Sequence, residues 1–147
     1  MIRHDLTHWP LVLSNMSGPM TLEEQLAFFA AWTGWLDRGE RFATLRVFAD
    51  VEALQRPEGG AKEAKAWLQA NAERVKAQVM SMATVVPVEA YNEVSRMNPE
   101  KLFGVPAQTF ARSDEAVAWI VRLLAEANIE LKPDAVHEQL GALTRFV

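Results

Sequence analysis

The chain reads as an α/β fold, with about four short, mostly parallel strands joined by crossover helices and one extra helix at the C-terminal end. Two observations predict it. Short apolar runs recur at 9–13, 43–49, 81–87 and 105–110. Between them lie longer stretches whose apolar residues fall three and four apart. Strand-length runs alternating with helical periodicity are the mark of βαβ units, in which helices shield a sheet. Size agrees: 147 residues fill one ordinary domain and are too few for two.

Trp9–Leu13 forms the first strand, and Ser14-Asn15-Met16-Ser17-Gly18-Pro19 the loop after it. Thr21 stands three residues before Glu24, which is a capping box: the hydroxyl takes an orphan backbone N–H and the carboxylate reaches back. The helix it opens runs to about Arg38, with Leu22, Leu26, Phe29, Trp32, Trp35 and Leu36 painting one face and Phe28 broadening it. Gly39 closes it. The second strand is Phe42–Phe48, ending at Ala49-Asp50, and a loop through Pro57-Glu58-Gly59-Gly60 leads to a second helix. Ala64, Trp67, Leu68, Ala72, Val75 and Val79 mark that helix's apolar side. Met82–Val86 carries the strongest β signal, and Pro87 ends it. A short third helix over about 88–97 stops at Asn98-Pro99. Val105–Ala111 is the fourth strand. Ser113 caps the next helix, whose first turn carries Asp114 and Glu115 where the helix dipole favours negative charge. Its buried side holds Ala116, Val117, Ile120, Leu123 and Leu124. A last helix over about 133–144 has Val136, Leu140 and Leu143 on one side, with Phe146 near. The whole is one domain, 1–147, with a core over about 8–128 and a helical extension over 129–147.

Composition narrows the chemistry. No cysteine is present, so disulfides, thiolate metal sites and thiol nucleophiles drop out, which suits a cytoplasmic protein. The net charge is −4 without a basic cluster, so nucleic acid is not an expected partner. No apolar run approaches the ~20 residues of a membrane span, and Met1-Ile2-Arg3-His4-Asp5 lacks a signal-peptide pattern. His4 and His8 are four apart, but the segment leads into a strand and lacks a clear third ligand, so no metal is expected. The serines have no Gly-x-Ser-x-Gly elbow and only a distant base in His137. Gly59-Gly60 before a helix suits a turn better than a phosphate cradle, since no P-loop or dinucleotide motif surrounds it. No cofactor follows from any of these motifs.

Aromatic residues are the unusual enrichment. Phe28, Phe29, Trp32 and Trp35 share one helix, which is more aromatic surface than a few short strands need. Core packing is the leading reading; a subunit interface or an apolar ligand pocket are the others. The last helix either closes the domain's own sheet or meets a second copy in a homodimer.

Three segments carry a family resemblance: Trp9-Pro10-Leu11-Val12-Leu13 with Gly18-Pro19-Met20-Thr21, then Leu36 to Ala43, then Thr109 to Ile120. In that order and spacing, over about residues 8–122, the chain resembles small bacterial proteins of the STAS-like superfamily, related to anti-sigma-factor antagonists. The resemblance implies a non-enzymatic α/β domain that binds another protein, or a small apolar ligand, in bacterial regulation or assembly. In the antagonists a phosphorylatable hydroxyl sits where a strand and loop enter a helix. Here the matching stretch runs from Asp50 through Arg56, Glu58, Gly59 and Gly60 to Lys62, and no hydroxyl lies between Thr44 and Ser81. These six residues are the expected contact surface. The antagonists also open with paired strands, whereas here a helix is expected directly after one strand. A small hydrolase or transferase is the weakest reading, because it needs a base and a nucleophile in contact.

Overall fold

The computed structural model describes residues 1–145. Phe146, expected near the last helix, lies outside them. The α/β class holds, and the sheet has five strands instead of four: β1 (Ile2–Asp5), β2 (Leu11–Met16), β3 (Phe42–Phe48), β4 (Val79–Val85) and β5 (Ala107–Phe110), side by side in that order. β1 is the unexpected one. It pairs antiparallel with β2, and the other neighbours are parallel. Only Ile2 in β1 is apolar, so no apolar run announces it; its pairing comes from the backbone.

The helices divide between two faces. α1 (Leu22–Asp37) and α2 (Gly60–Gln78) lie on one face, followed by the short α3 (Tyr91–Ser95) and α4 (Pro99–Phe103). α5 (Ser113–Glu126) and α6 (Pro133–Thr144) cover the other. Each face has its own core, because successive strand residues point to opposite sides. Val12, Phe42, Val79 and Met82 meet α1 and α2. Leu11, Leu13, Leu45, Ala83 and Val85 meet α5 and α6. A register shift between Phe42 and Thr44 opposite β4 lets Val79 and Met82 share a face.

Several local signals work as their chemistry dictates. Thr21 and Glu24 form the reciprocal capping box at the start of α1. Gly39, at φ +72°, ends that helix in the left-handed region open to glycine. Asn98 accepts from the Lys101 amide with Pro99 in the first turn, so this pair opens α4; the single helix expected over 88–97 is a 3-10 turn and α3. Three further expectations are corrected. Ser14, Asn15 and Met16, expected in the loop after the first apolar strand, complete β2, which begins at Leu11 and not at Trp9. The buried stripe of α1 is Gln25, Phe28, Trp32, Trp35 and Leu36, while Leu26 is 43% exposed; a buried glutamine had hidden the register. Ser113 is the first residue of α5 and does not cap it; the first-turn Asp114 carboxylate instead accepts from the Glu115 amide and binds the Arg112 guanidinium.

α6 closes the domain's own sheet. Val136, Leu140 and Leu143 are buried among Leu11, Leu13 and Leu124. Arg3 on β1 donates to the Leu143 carbonyl (3.0 Å), and Gln139 donates to Asp5. No helix among the described residues is long and apolar enough to cross a membrane.

Candidate functional site

Asp50 lies two residues beyond β3, at the carboxyl edge of the sheet, where α/β folds present their loops. Its carboxylate accepts from the Gly18 amide at 3.0 and 3.1 Å and from the Ala53 amide at 2.9 Å. It therefore points inward and ties the loop after β2 to the loop after β3. The rest of the expected contact surface stands on that tied loop. Arg56, Glu58, Gly59 and Lys62 are exposed, and among the described residues none of the three charged ones has an ion-pair partner.

The glycine pair shapes the start of α2. Gly59 has φ +81°. Gly60 is buried and donates its amide to the Pro57 carbonyl (2.8 Å), while its own carbonyl accepts from Gln25 Nε2 (2.9 Å). A Cβ on Gly60 would lie 2.4 Å from Gln25 Oε1 and 3.0 Å from Pro57 Cδ, so only glycine lets α1 and α2 approach here. The two helices run parallel, as Gln25 meets Gly60, Thr33 meets Trp67 and Asp37 meets Arg74. Both amino ends therefore sit over the carboxyl edge of the parallel strands.

The aromatic face of α1 packs within the chain. Phe28, Trp32 and Trp35 are buried, and Phe29 is half-buried with its ring stacked 5.4 Å from Trp67. The Phe42 ring of β3 packs with the rings of Trp9, Trp32 and Trp35. A small cavity of about 210 Å³ opens beside this cluster, lined by Ile2, His4, Glu24, Ala27, Phe28 and Ala31.

Beneath α1 and α2 the sheet carries a row that the sequence reading missed. The register places His4, Ser14, Arg46, Thr84 and Thr109 side by side across all five strands. His4 Nδ1 and Ser14 Oγ are 2.7 Å apart, and Arg46 donates to Thr84 Oγ1 at 3.1 Å. Burial holds the His4 imidazole below its usual pKa, so it is neutral near pH 7, wedged between the Phe28 and Trp35 rings. Burial also pushes the Arg46 pKa down to about 10, which leaves it charged at neutral pH. Its Nε is buried with no acceptor among the described residues. The signal was present in Phe42-Ala43-Thr44-Leu45-Arg46-Val47-Phe48: one charge in a strand otherwise flanked by apolar runs.

His4 and Ser14 bring a base and a hydroxyl into contact. Ser14 is 1% exposed in the middle of a strand, with the chain closed around it. A nucleophile must reach a carbonyl from outside, so this geometry suits a cross-strand hydrogen bond. His8 lies beyond the end of β1, so the two histidines do not share a helical face. Comparison with protein-family models, curated proteins and solved structures returns no match to this chain.

Proposed function

We propose that the chain is a non-enzymatic STAS-like interaction module that contacts another protein through the loop from Asp50 to Lys62. The observation that carries this reading is the inward Asp50 carboxylate. It fixes the loop through backbone amides of two segments, so that Arg56, Glu58 and Lys62 stand exposed on a held frame with no ion-pair partner among the described residues. Pre-organised exposed charges lower the ordering cost of association and select partners by complementarity. The antiparallel β1–β2 pair supports the family reading as well, because it supplies the paired opening strands that the antagonists have. The loop holds no hydroxyl, so recognition here works without phosphorylation of the loop, and Glu58 provides fixed negative charge near the α2 start. A cytoplasmic setting in bacterial regulation or assembly, and pairing of two copies, belong to the same proposal.

Replacing Asp50 by alanine tests the frame. Two amides lose a charged acceptor, and hydrogen bonds to charged groups contribute about 1.5–3 kcal/mol. Faster amide hydrogen exchange at Gly18 and Ala53, with partner binding weakened although no contact residue has changed, is the expected result. Unchanged exchange at both amides would refute the frame.

A second reading, hydrolysis, has one observation behind it, the His4–Ser14 contact. A fluorophosphonate probe separates the two. The interaction module leaves Ser14 unlabelled, and a stoichiometric Ser14 adduct would establish the nucleophile instead.

A further inference from the structure

We infer that Arg46 is the anchor of a binding site for a small carboxylate ligand, in the carboxyl half of the central strand and on the sheet face that α1 and α2 cover. Arg46 occupies the central strand of the sheet, with Ser14 and Thr84 as its register neighbours. Every other member of its row is neutral: a histidine held uncharged, a serine and two threonines. Among the described residues no carboxylate pairs with Arg46. It donates to Thr84 Oγ1, and its Nε–H is buried with no acceptor among the described residues.

Such an arrangement is costly if nothing else binds there. A guanidinium whose Nε–H is shut off from water needs an acceptor for that group and gains from a countercharge, and an apolar side chain at this position would avoid the cost. The Phe48 ring, 5.9 Å away, gives only a weak cation–π contact. A ligand carboxylate supplies what is lacking. It carries one negative charge against one positive charge, and its two oxygens match the guanidinium fork at Nε. A phosphate dianion would leave an uncompensated negative charge in the same buried place, and the monoanion would bring two hydroxyl protons that need acceptors of their own. Thr84, having accepted from Arg46, keeps its own hydroxyl proton to donate to the ligand. The side chain retains some exposed surface, so the site can be reached from solvent. The parallel helices add to the field, since the positive ends of α1 and α2 lie over the same sheet edge.

This site is separate from the exposed loop and does not depend on the loop's proposed role. The test is a titration of the ¹⁵N-labelled full chain at pH 7 and constant ionic strength, following the Arg46 Nε–Hε resonance, identified by its loss in Arg46→Lys. Acetate, phosphate and chloride are added in separate arms. A saturable shift with acetate, at least tenfold weaker with phosphate and absent with chloride, is expected. In thermal denaturation, acetate raises the Tm of the wild type, while Arg46→Met no longer responds and is at least as stable in chloride. A saturable response to phosphate alone would overturn the carboxylate assignment. A Nε–Hε resonance that moves equally in all three arms would overturn the site itself, and that readout needs no folded Arg46→Met.

Discussion

Protonating His4 would put a charge between the Phe28 and Trp35 rings, with Ser14 as its only hydrogen-bond partner among the described residues. The folded-state pKa is therefore lowered from the ordinary 6.5, and burial is the cause. The unfolded chain takes up the proton first as pH falls. Stability from this group is thus complete above about pH 6.5 and declines below it until the folded pKa is reached. Urea denaturation at pH 7.5 and 5.5 should show a smaller acid loss in His4→Phe than in the wild type, although His4→Phe starts lower at pH 7.5 because Ser14 loses its partner. Equal acid losses would mean that His4 titrates freely. Glu24 behaves in the same sense at lower pH, because its folded-state pKa is lowered too. The Thr21 amide and the Met1 amino group (3.0 Å) hold its carboxyl low, so its contribution is complete above the usual carboxylate range and is lost as pH falls from there through the lowered folded-state value.

At the level of elements, capping and close approach decide the geometry of the α1–α2 pair. Thr21→Ala should cost about 1 kcal/mol, the usual worth of an N-cap side chain. Gly60→Ala should cost about 1–3 kcal/mol by overpacking against Gln25 and Pro57. In a Gln25→Ala background the second penalty should shrink, because the clashing Oε1 is gone; additive effects in that double-mutant cycle would contradict the contact. What could be read beforehand follows from the same physics. The capping box, Gly39 and the α6 stripe were legible because each rests on residues next to one another in sequence. β1 was not, because Arg3 and Asp5 are satisfied by Leu143 and Gln139 at the other end of the chain. The Gln25 position was hidden likewise, since its burial is compensated by Gly60, 35 residues away. The Schellman ending of α5 at Asn128, with φ +65°, also leaves little trace in sequence, because asparagine occurs in many other settings.

For the whole molecule, the sheet is enclosed by its own helices, and its charged loop stands at the carboxyl edge. Leu140 is 4% exposed against β-sheet and α5 neighbours of the same chain. Leu140→Ala should therefore destabilise by about 2–5 kcal/mol, with the same loss at protein concentrations tenfold apart. A loss that varied with concentration would place Leu140 between copies. The proposed interface is tested most directly by quantitative affinity capture with three baits: the wild type, Arg56→Ala/Glu58→Ala/Lys62→Ala, and a control with Glu126, Glu130 and Lys132 replaced by alanine. The interaction module predicts one protein lost with the loop variant and retained with the control, while circular dichroism shows all three baits folded. Equal recovery of every captured protein by the wild type and the loop variant would contradict it.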